Sequence, residues 1–391
     1  MIERQRNLAP ALFAAFAFAV LSSSAPAQTP RVRDSVGIRI VENSSRTKAS
    51  IAFTLGATPN VDIGGLEDDP DKEFLRNSSI PQLTRLSDGR VAVADKNRIQ
   101  FFDNLGKRLR IAGRSGGGPG EFQGIAGLCR IHGDTVLASD FQNRRFSVLD
   151  QKGEYRSLTT FPVGNFSDSQ FCLNDGTIMA LQYLPRNAQG ESGFRINHLN
   201  RAGAIMNEIA VIKNPPADPV VNPKSSFVTG SENVYYGNGA EQEFRVFSAQ
   251  GKLVSIVRTA DKLEPITRND LEDMSSGAGR AGSKTAGSSA GGGSPAPVSH
   301  AKTLPTYDRI LIDMSERVWM QDFEPDIKTQ AEGWTAFDRT GKLLGRIVIP
   351  VGATKEKRQT VVHFGKDEVF VKRPDDDGAT HYTAYPILSK K

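Results

Sequence analysis

FDNLGKRL, residues 102–109, recurs as LDQKGEYR (149–156), LNRAGAIM (199–206), FSAQGKLV (247–254) and FDRTGKLL (337–344). Each copy ends one apolar stretch at Asp, Asn or Ser. Two residues follow, then a glycine, then the next stretch begins. The glycines are Gly106, Gly153, Gly203, Gly251 and Gly341, at intervals of 47, 50, 48 and 90 residues. The last interval is about one unit plus an insertion. A glycine at a constant place between two short strands marks a hairpin position with positive φ, where glycine alone is cheap.

A second hairpin recurs upstream of these turns, and once more after the last of them. It reads LSDGRVAVAD (86–95), IHGDTVLASD (131–140) and LNDGTIMALQ (173–182), with looser copies in SERVWMQD (315–322) and GKDEVFVKR (365–373). VAVAD, TVLASD, FSVLD and RVWMQD are short apolar runs bounded by turn residues, and they read as strands. Strand, turn, strand, loop, strand, glycine turn, strand, repeated every 45–50 residues, is the pattern of a β-propeller blade. Units starting near Ile80, Gly127, Phe166, Ser225, Thr303 and Gln359 make six blades. The sixth runs out at HYTAYPIL, one strand short. ATPNVDIGG (57–65) supplies the missing strand from the other end of the chain, so the ring closes and no sheet edge is left open. The expected fold is therefore all-β, a six-bladed propeller with four antiparallel strands per blade.

GRSGGGPGEF (113–122) has the look of a phosphate cradle. Such a loop needs Lys and Ser or Thr after the glycines, opening a helix. Glu121-Phe122 follows instead, and then a strand, so the glycines read as a sharp turn between blades.

The first 27 residues read as an export signal. Arg4 and Arg6 precede an apolar stretch, Leu8 to Leu21, and Ala25-Pro26-Ala27 offers a cleavage site. That stretch is short for a bilayer span, which takes about 20 residues. The expected location is the periplasm or the exterior, with no membrane span after cleavage. Residues 28–50 are set apart as an N-terminal extension, and 51–391 as the propeller. The net charge of +5 is spread along the chain without a basic block, which argues against nucleic acid as a partner.

GRSGGGPGEFQGIAGLCRIHGDTVLASDFQNRRFSVLDQKG (113–153) resembles NHL-type repeats: a glycine-rich entry, Gly-Glu-Phe, a strand ending in Asp, then Asn-Arg and an aromatic strand. VADKNRIQFFDNLGK (93–107) has the same order. The chain as a whole is similar to secreted six-bladed propellers of bacteria. The resemblance implies a fold far more than an activity, because propellers host binders and enzymes alike.

In such a ring, the loops between blades and the loops joining second to third strands share one face. That loop-rich face, at the channel mouth, is the expected functional surface. Asp95, Asn97 and Arg98, with Asp140, Asn143 and Arg144 at matching places, are candidate ligand-binding residues, joined by Arg186 and Asp322 from later loops. The competing role is structural, since Asp closes turns and Arg bridges blades. Carboxylates crowd at Asp68 and Asp69, and again at Asp375 and Asp376. Ring closure brings both groups near the seam, where calcium is the fitting cation, although no EF-hand spacing is present. No other cofactor is expected. The five histidines show no zinc spacing, and no serine-hydrolase elbow occurs. Cys129 and Cys172 each lie four residues before a turn glycine, at equivalent places on adjacent inner strands, and are a disulfide candidate in an oxidising compartment. Residues 264–302 form an insertion: LEPITRNDLEDM opens a helix capped by Thr267 or Asn269, and a Gly/Ser/Ala-rich tract follows. The expected function is binding of a protein, small-molecule or saccharide ligand by a monomeric, non-catalytic scaffold. The alternative is a metal-dependent lactonase, other hydrolase or lyase at the channel mouth.

Overall fold

The computed structural model describes residues 29–390, apart from 67–72, 75–81, 162–165, 189–190, 215–217, 219, 222, 277–300, 325–329 and 353–357. Four strands precede the first blade: β1 (Arg31–Ser35), β2 (Ile38–Asn43), β3 (Phe53–Leu55) and β4 (Val61–Gly64). Blade one is β5 (Gln82–Arg85), β6 (Val91–Asp95), β7 (Arg98–Phe102) and β8 (Arg108–Ala112). Blade two is β9 (Ile125–Ile131), β10 (Thr135–Asp140), β11 (Arg145–Leu149) and β12 (Tyr155–Thr160). Blade three is β13 (Phe166–Cys172), β14 (Ile178–Leu184), β15 (Gly193–Leu199) and β16 (Ile205–Lys213). Blade four is β17 (Ser225–Thr229), β18 (Asn233–Asn238), β19 (Glu243–Ser248) and β20 (Leu253–Thr259). The helix α1 (Arg268–Ser276) follows it. Blade five is β21 (Tyr307–Ile312), β22 (Val318–Asp322), β23 (Ala331–Phe337) and β24 (Leu343–Pro350). Blade six has β25 (Thr360–Phe364), β26 (Glu368–Pro374) and β27 (Thr380–Ser389). The fold is a six-bladed β-propeller of four-stranded antiparallel sheets, as the repeat implies.

The five repeat glycines all have positive φ, between 77° and 90°. The residue opening each of these turns completes it. Asp103 Oδ1 accepts the N–H groups of Leu105 and Lys107, and Asp150 and Asp338 accept the equivalent pairs. A carboxylate bonded to the turn backbone stands in for part of the missing ladder, hence the Asp, Asn or Ser before each glycine.

Ring closure runs through β4. It pairs antiparallel with β27, with Tyr382 opposite Ile63 and Ala384 opposite Val61, and serves as the outer strand of blade six. β3 pairs with the end of β27. The extension is less detached than its sequence implies. β1 and β2 form a hairpin, and β2 lies parallel to β20, widening blade four to six strands. Parallel pairing needs no turn between partners, so no local signal announces it.

The core is six seams, each between neighbouring blades. Second strands are buried on both faces, as in β6 and β22, whereas the outer strand β12 is mostly exposed. Phe101 and Ala92 of blade one meet Phe122 and Val136 of blade two. Val61, Ile63 and Phe370 meet Val91 and Phe102 across the closing seam.

A hydrogen-bonded belt joins all six blades on the face opposite the loop-rich one. Ser87 N–H donates to Asp134 Oδ1 (2.9 Å), His132 N–H to Asn174 O (2.7 Å), and Asn174 N–H to Ser231 O (3.1 Å). Ser231 N–H donates to Glu316 Oε1 (2.7 Å), Arg317 to Lys366 O, and Arg85 Nε to Glu368 Oε1 (2.8 Å). These bonds set the angular position of each blade against the next.

Candidate functional site

The candidates of blades one and two are committed to the fold's own loops. Asp95 is buried at the end of β6, and Arg98 donates to its Oδ2 through Nη2 (2.9 Å) and Nε (3.2 Å). Arg98 Nη2 also donates to Glu73 O (2.6 Å), tying this hairpin to the loop that leaves the closing strand. Asn97 is half-buried in the tight turn between them. Asp140 is fully buried and accepts from Gln123 N–H, Gly124 N–H, Asn143 N–H and Asn143 Nδ2. Four donors on one carboxylate fill its lone pairs. Asn143 Nδ2 reaches Gly116 O as well, at 2.9 Å.

Arg144 is displaced from the role its spacing predicts. The hairpin of blade two is two residues longer than that of blade one, so Arg145, not Arg144, faces Asp140 as Arg98 faces Asp95. Arg145 donates to Gly117 O (2.7 Å), Gly118 O (2.8 Å) and Glu121 O. Arg144 is exposed, with φ of 52°.

The glycine-rich loop thus presents carbonyl oxygens to an arginine, the reverse of the N–H cradle that holds phosphate. Glu121 turns back on the loop and accepts Gly118 N–H at 2.7 Å. That bond, and then Arg114, hold its carboxyl below the usual range. At Gly113, with φ of 87°, a Cβ would come within 2.6 Å of the Phe122 ring. The glycine therefore lets the strand end pass against that buried aromatic.

Asp322 sits in a different setting. It ends β22, and its carboxylate is held by Arg46 Nη1 (2.9 Å) from the N-terminal segment and by Arg346 of β24. Arg46 is 2% exposed and also donates to Asp261 and to Thr306 O. Burial alone would push the Asp261 carboxyl up. The hydroxyls of Thr259 and Ser45, the Arg46 charge and Thr47 N–H outweigh it and hold that carboxyl low. Above this network lies a cleft of roughly 460 Å³, lined by the network itself and by Lys262, Glu264, Asp270, Phe323 and Glu324. It lies over the junction of blades four and five, bounded by the outer strand β24, off the channel axis. Sequence reasoning missed Arg46, Asp261 and Arg346. Arg46 and Asp322 are 276 residues apart, and no local pattern links them.

The insertion leaves and returns at the rim of this cleft. Ile266 N–H donates to Lys302 O and Leu304 N–H to Glu264 O, closing a short antiparallel stem. Thr267 caps α1: its Oγ1 accepts Asp270 N–H, and its own N–H donates to the Asp270 carboxylate (2.8 Å), a reciprocal cap. Residues 277–300 of the insertion and the leader lie outside the described residues.

Of the calcium candidates, Asp68 and Asp69 lie outside the described residues. Asp375 accepts Ala379 N–H (2.7 Å) and contacts His381 Nε2 (3.3 Å), while Asp376 is exposed in the same turn. Among the described residues, no group of three or more His, Cys, Asp or Glu is placed to hold a metal ion. Arg186 is exposed in the loop after β14. Cys129 and Cys172 form a disulfide between the inner strands of blades two and three, with Cα atoms 6.0 Å apart. On the inner strand of blade five, Arg309 donates to Gln321 Oε1 (2.7 Å) and Val361 O (2.8 Å) and lies over the Trp334 ring. It is a tie between blades five and six. No helix among the described residues is long and apolar enough to cross a membrane.

No family model and no curated protein matches the chain. Among solved structures, a candidate exported protein of Bacteroides fragilis is 10% identical, with a TM-score of 0.52, over 90% of this chain and 100% of that one. A member of the DUF4221 family from Bacteroides vulgatus is 11% identical, with a TM-score of 0.48, over 87% of this chain and 99% of that one. Virginiamycin B lyase from Staphylococcus aureus is 11% identical, with a TM-score of 0.41, over 85% of this chain and 99% of that one. At these identities the likeness is one of fold, and only the first of the three is close enough to carry that argument: the chain shares its fold with the Bacteroides fragilis protein.

Proposed function

We propose that the protein is an exported binding module that holds a hydroxyl-rich ligand of the saccharide class in the cleft over blades four and five, without chemical turnover. One observation carries this reading: the cleft floor is a pre-set array of charge, with Asp261 and Asp322 fixed by Arg46 and Arg346. Preorganised polar groups lose little entropy when a ligand arrives. With the Asp261 carboxylate filled by the floor's own donors, the rim carboxylates of Glu264 and Glu324 are the ones to accept hydrogen bonds from ligand hydroxyls, and the partly exposed Phe323 ring, Pro265 and Pro305 offer apolar surface to a sugar face. The lining carries five carboxylates against three cationic groups, which disfavours an anionic ligand. Export is supported by the leader-like first 27 residues.

Calorimetry of the purified chain against a panel of neutral mono- and oligosaccharides tests this. One class should bind, and Phe323→Ala and Glu324→Gln should each weaken it about tenfold, a loss of about 1.4 kcal/mol. EDTA should leave binding unchanged. Silence across the whole panel overturns the reading. Release of a cleaved or rearranged product would point instead to a lactonase- or lyase-like activity at the channel mouth.

A further inference from the structure

At the end of the central channel nearest the belt, two side-chain nitrogens are left without hydrogen-bond partners by the ring contacts. Arg85 ends β5, Arg130 is one residue from the end of β9, and His363 is one from the end of β25. These are corresponding positions on the inner strands of three successive blades. Arg85 and His363 rest against one aromatic ring, that of Phe370. The guanidinium carbon lies 5.5 Å from its centroid, and the two ring centroids are 6.1 Å apart. Arg85 gives Nε and Nη2 to Glu368, but its Nη1 is shielded from solvent and has no hydrogen-bond partner. His363 Nε2 is shielded and unpartnered in the same way. A buried polar nitrogen left unmatched costs about 1–3 kcal/mol, so two on side chains that share the Phe370 ring call for an acceptor.

We propose that this end of the channel binds a small inorganic oxyanion of the phosphate class, accepting from Arg85 Nη1, His363 Nε2 and the Arg130 guanidinium. Several acceptor oxygens on one centre can meet donors arriving from three blades. Two flanking carboxylates are already engaged. Asp134 takes both donors of Ser87 and only a long 3.4 Å contact from Arg130. Glu368 takes Arg85, and burial pushes its carboxyl up. Burial, then Arg85 and Arg130, hold the His363 imidazole down to about 4, so it is neutral at pH 7, and a negative charge beside it would raise that value. The site is separate from the cleft and stands or falls independently of the saccharide reading.

The test is a titration of the full chain with inorganic phosphate at constant ionic strength, followed by thermal unfolding and by the imidazole proton resonances. The His363 signal is assigned from its loss in His363→Gln. The expected result is a midpoint that rises with phosphate and not with matched sodium chloride, together with a His363 titration moved up by about one pH unit or more. Arg130→Gln, at a half-exposed position, should fold normally and bind phosphate about tenfold more weakly, the loss of one charge-assisted hydrogen bond. Equal midpoints in phosphate and chloride, with an unmoved His363 titration in the wild-type chain, would mean that only water occupies the channel, and would overturn the proposal.

Discussion

Ile63→Ala tests the closure of the ring at its most sensitive point. Ile63 is fully buried, opposite Tyr382, among Val61, Phe74, Phe102 and Phe370. Removing three carbons forfeits about 2.4 kcal/mol of transfer energy, at about 0.8 kcal/mol per group. The void cannot collapse fully between two sheets, and at about 24 cal/mol per Å³ it adds roughly 1 kcal/mol. The total is about 3.5 kcal/mol. For a domain of this size, an unfolding entropy of about 2.1 cal/mol/K per residue gives about 0.7 kcal/mol/K, so the midpoint should fall by about 5 °C. Val32→Ala, on a half-exposed edge strand outside the ring, is the control and should shift the midpoint by less than about 1 °C. Scanning calorimetry of both variants beside the wild type reads the difference. If Ile63→Ala unfolds where Val32→Ala does, β4 is not part of the cooperative unit, and closure by the N-terminal strand is wrong.

Non-reducing peptide mapping should recover Cys129 and Cys172 on one cross-linked peptide pair. The double Cys→Ala variant should be less stable by about 3–4 kcal/mol, as expected for closing a loop of this length. Two separately alkylated thiols would contradict the pairing. His363 binds its proton near pH 4 in the folded chain and near 6.5 when unfolded. Its contribution to stability is therefore complete above about 6.5 and is lost as pH falls toward 4, on the order of 3 kcal/mol in all. In phosphate-free buffer, His363→Gln should flatten the stability profile across that window. An unchanged slope would show that the imidazole is not held neutral.

The blades were legible in the amino-acid chain because a blade is made of local events. A hairpin needs a glycine with positive φ and an Asp, Asn or Ser to bond the turn, all within a few residues, and five copies, four of them 47–50 residues apart and the last one unit and an insertion further on, leave little else to build. Closure was legible for a related reason: the sixth unit lacks one strand, and ATPNVDIGG has one to give. The parallel docking of β2 on β20 was not, because that contact has no connecting turn to mark it. Nor was the choice between Arg144 and Arg145, since a longer hairpin resets which side chain faces Asp140.

The site divides along the same line. Asp95, Asp140 and Asp322 were found as residue types in the right loops, but their tasks depend on distant partners. Asp140 spends its lone pairs on backbone N–H groups of the preceding loop. Asp322 is turned into the floor of a cleft by Arg46, which lies 276 residues earlier in a segment set aside as an extension. From its residues alone this protein had its repeat, its blade count and the partner for its unpaired last sheet, because turn chemistry and strand periodicity act over a few residues. Only the closed ring decided which charges are consumed, which are held open and where they meet, because ion pairing depends on distance in space and is blind to separation along the chain.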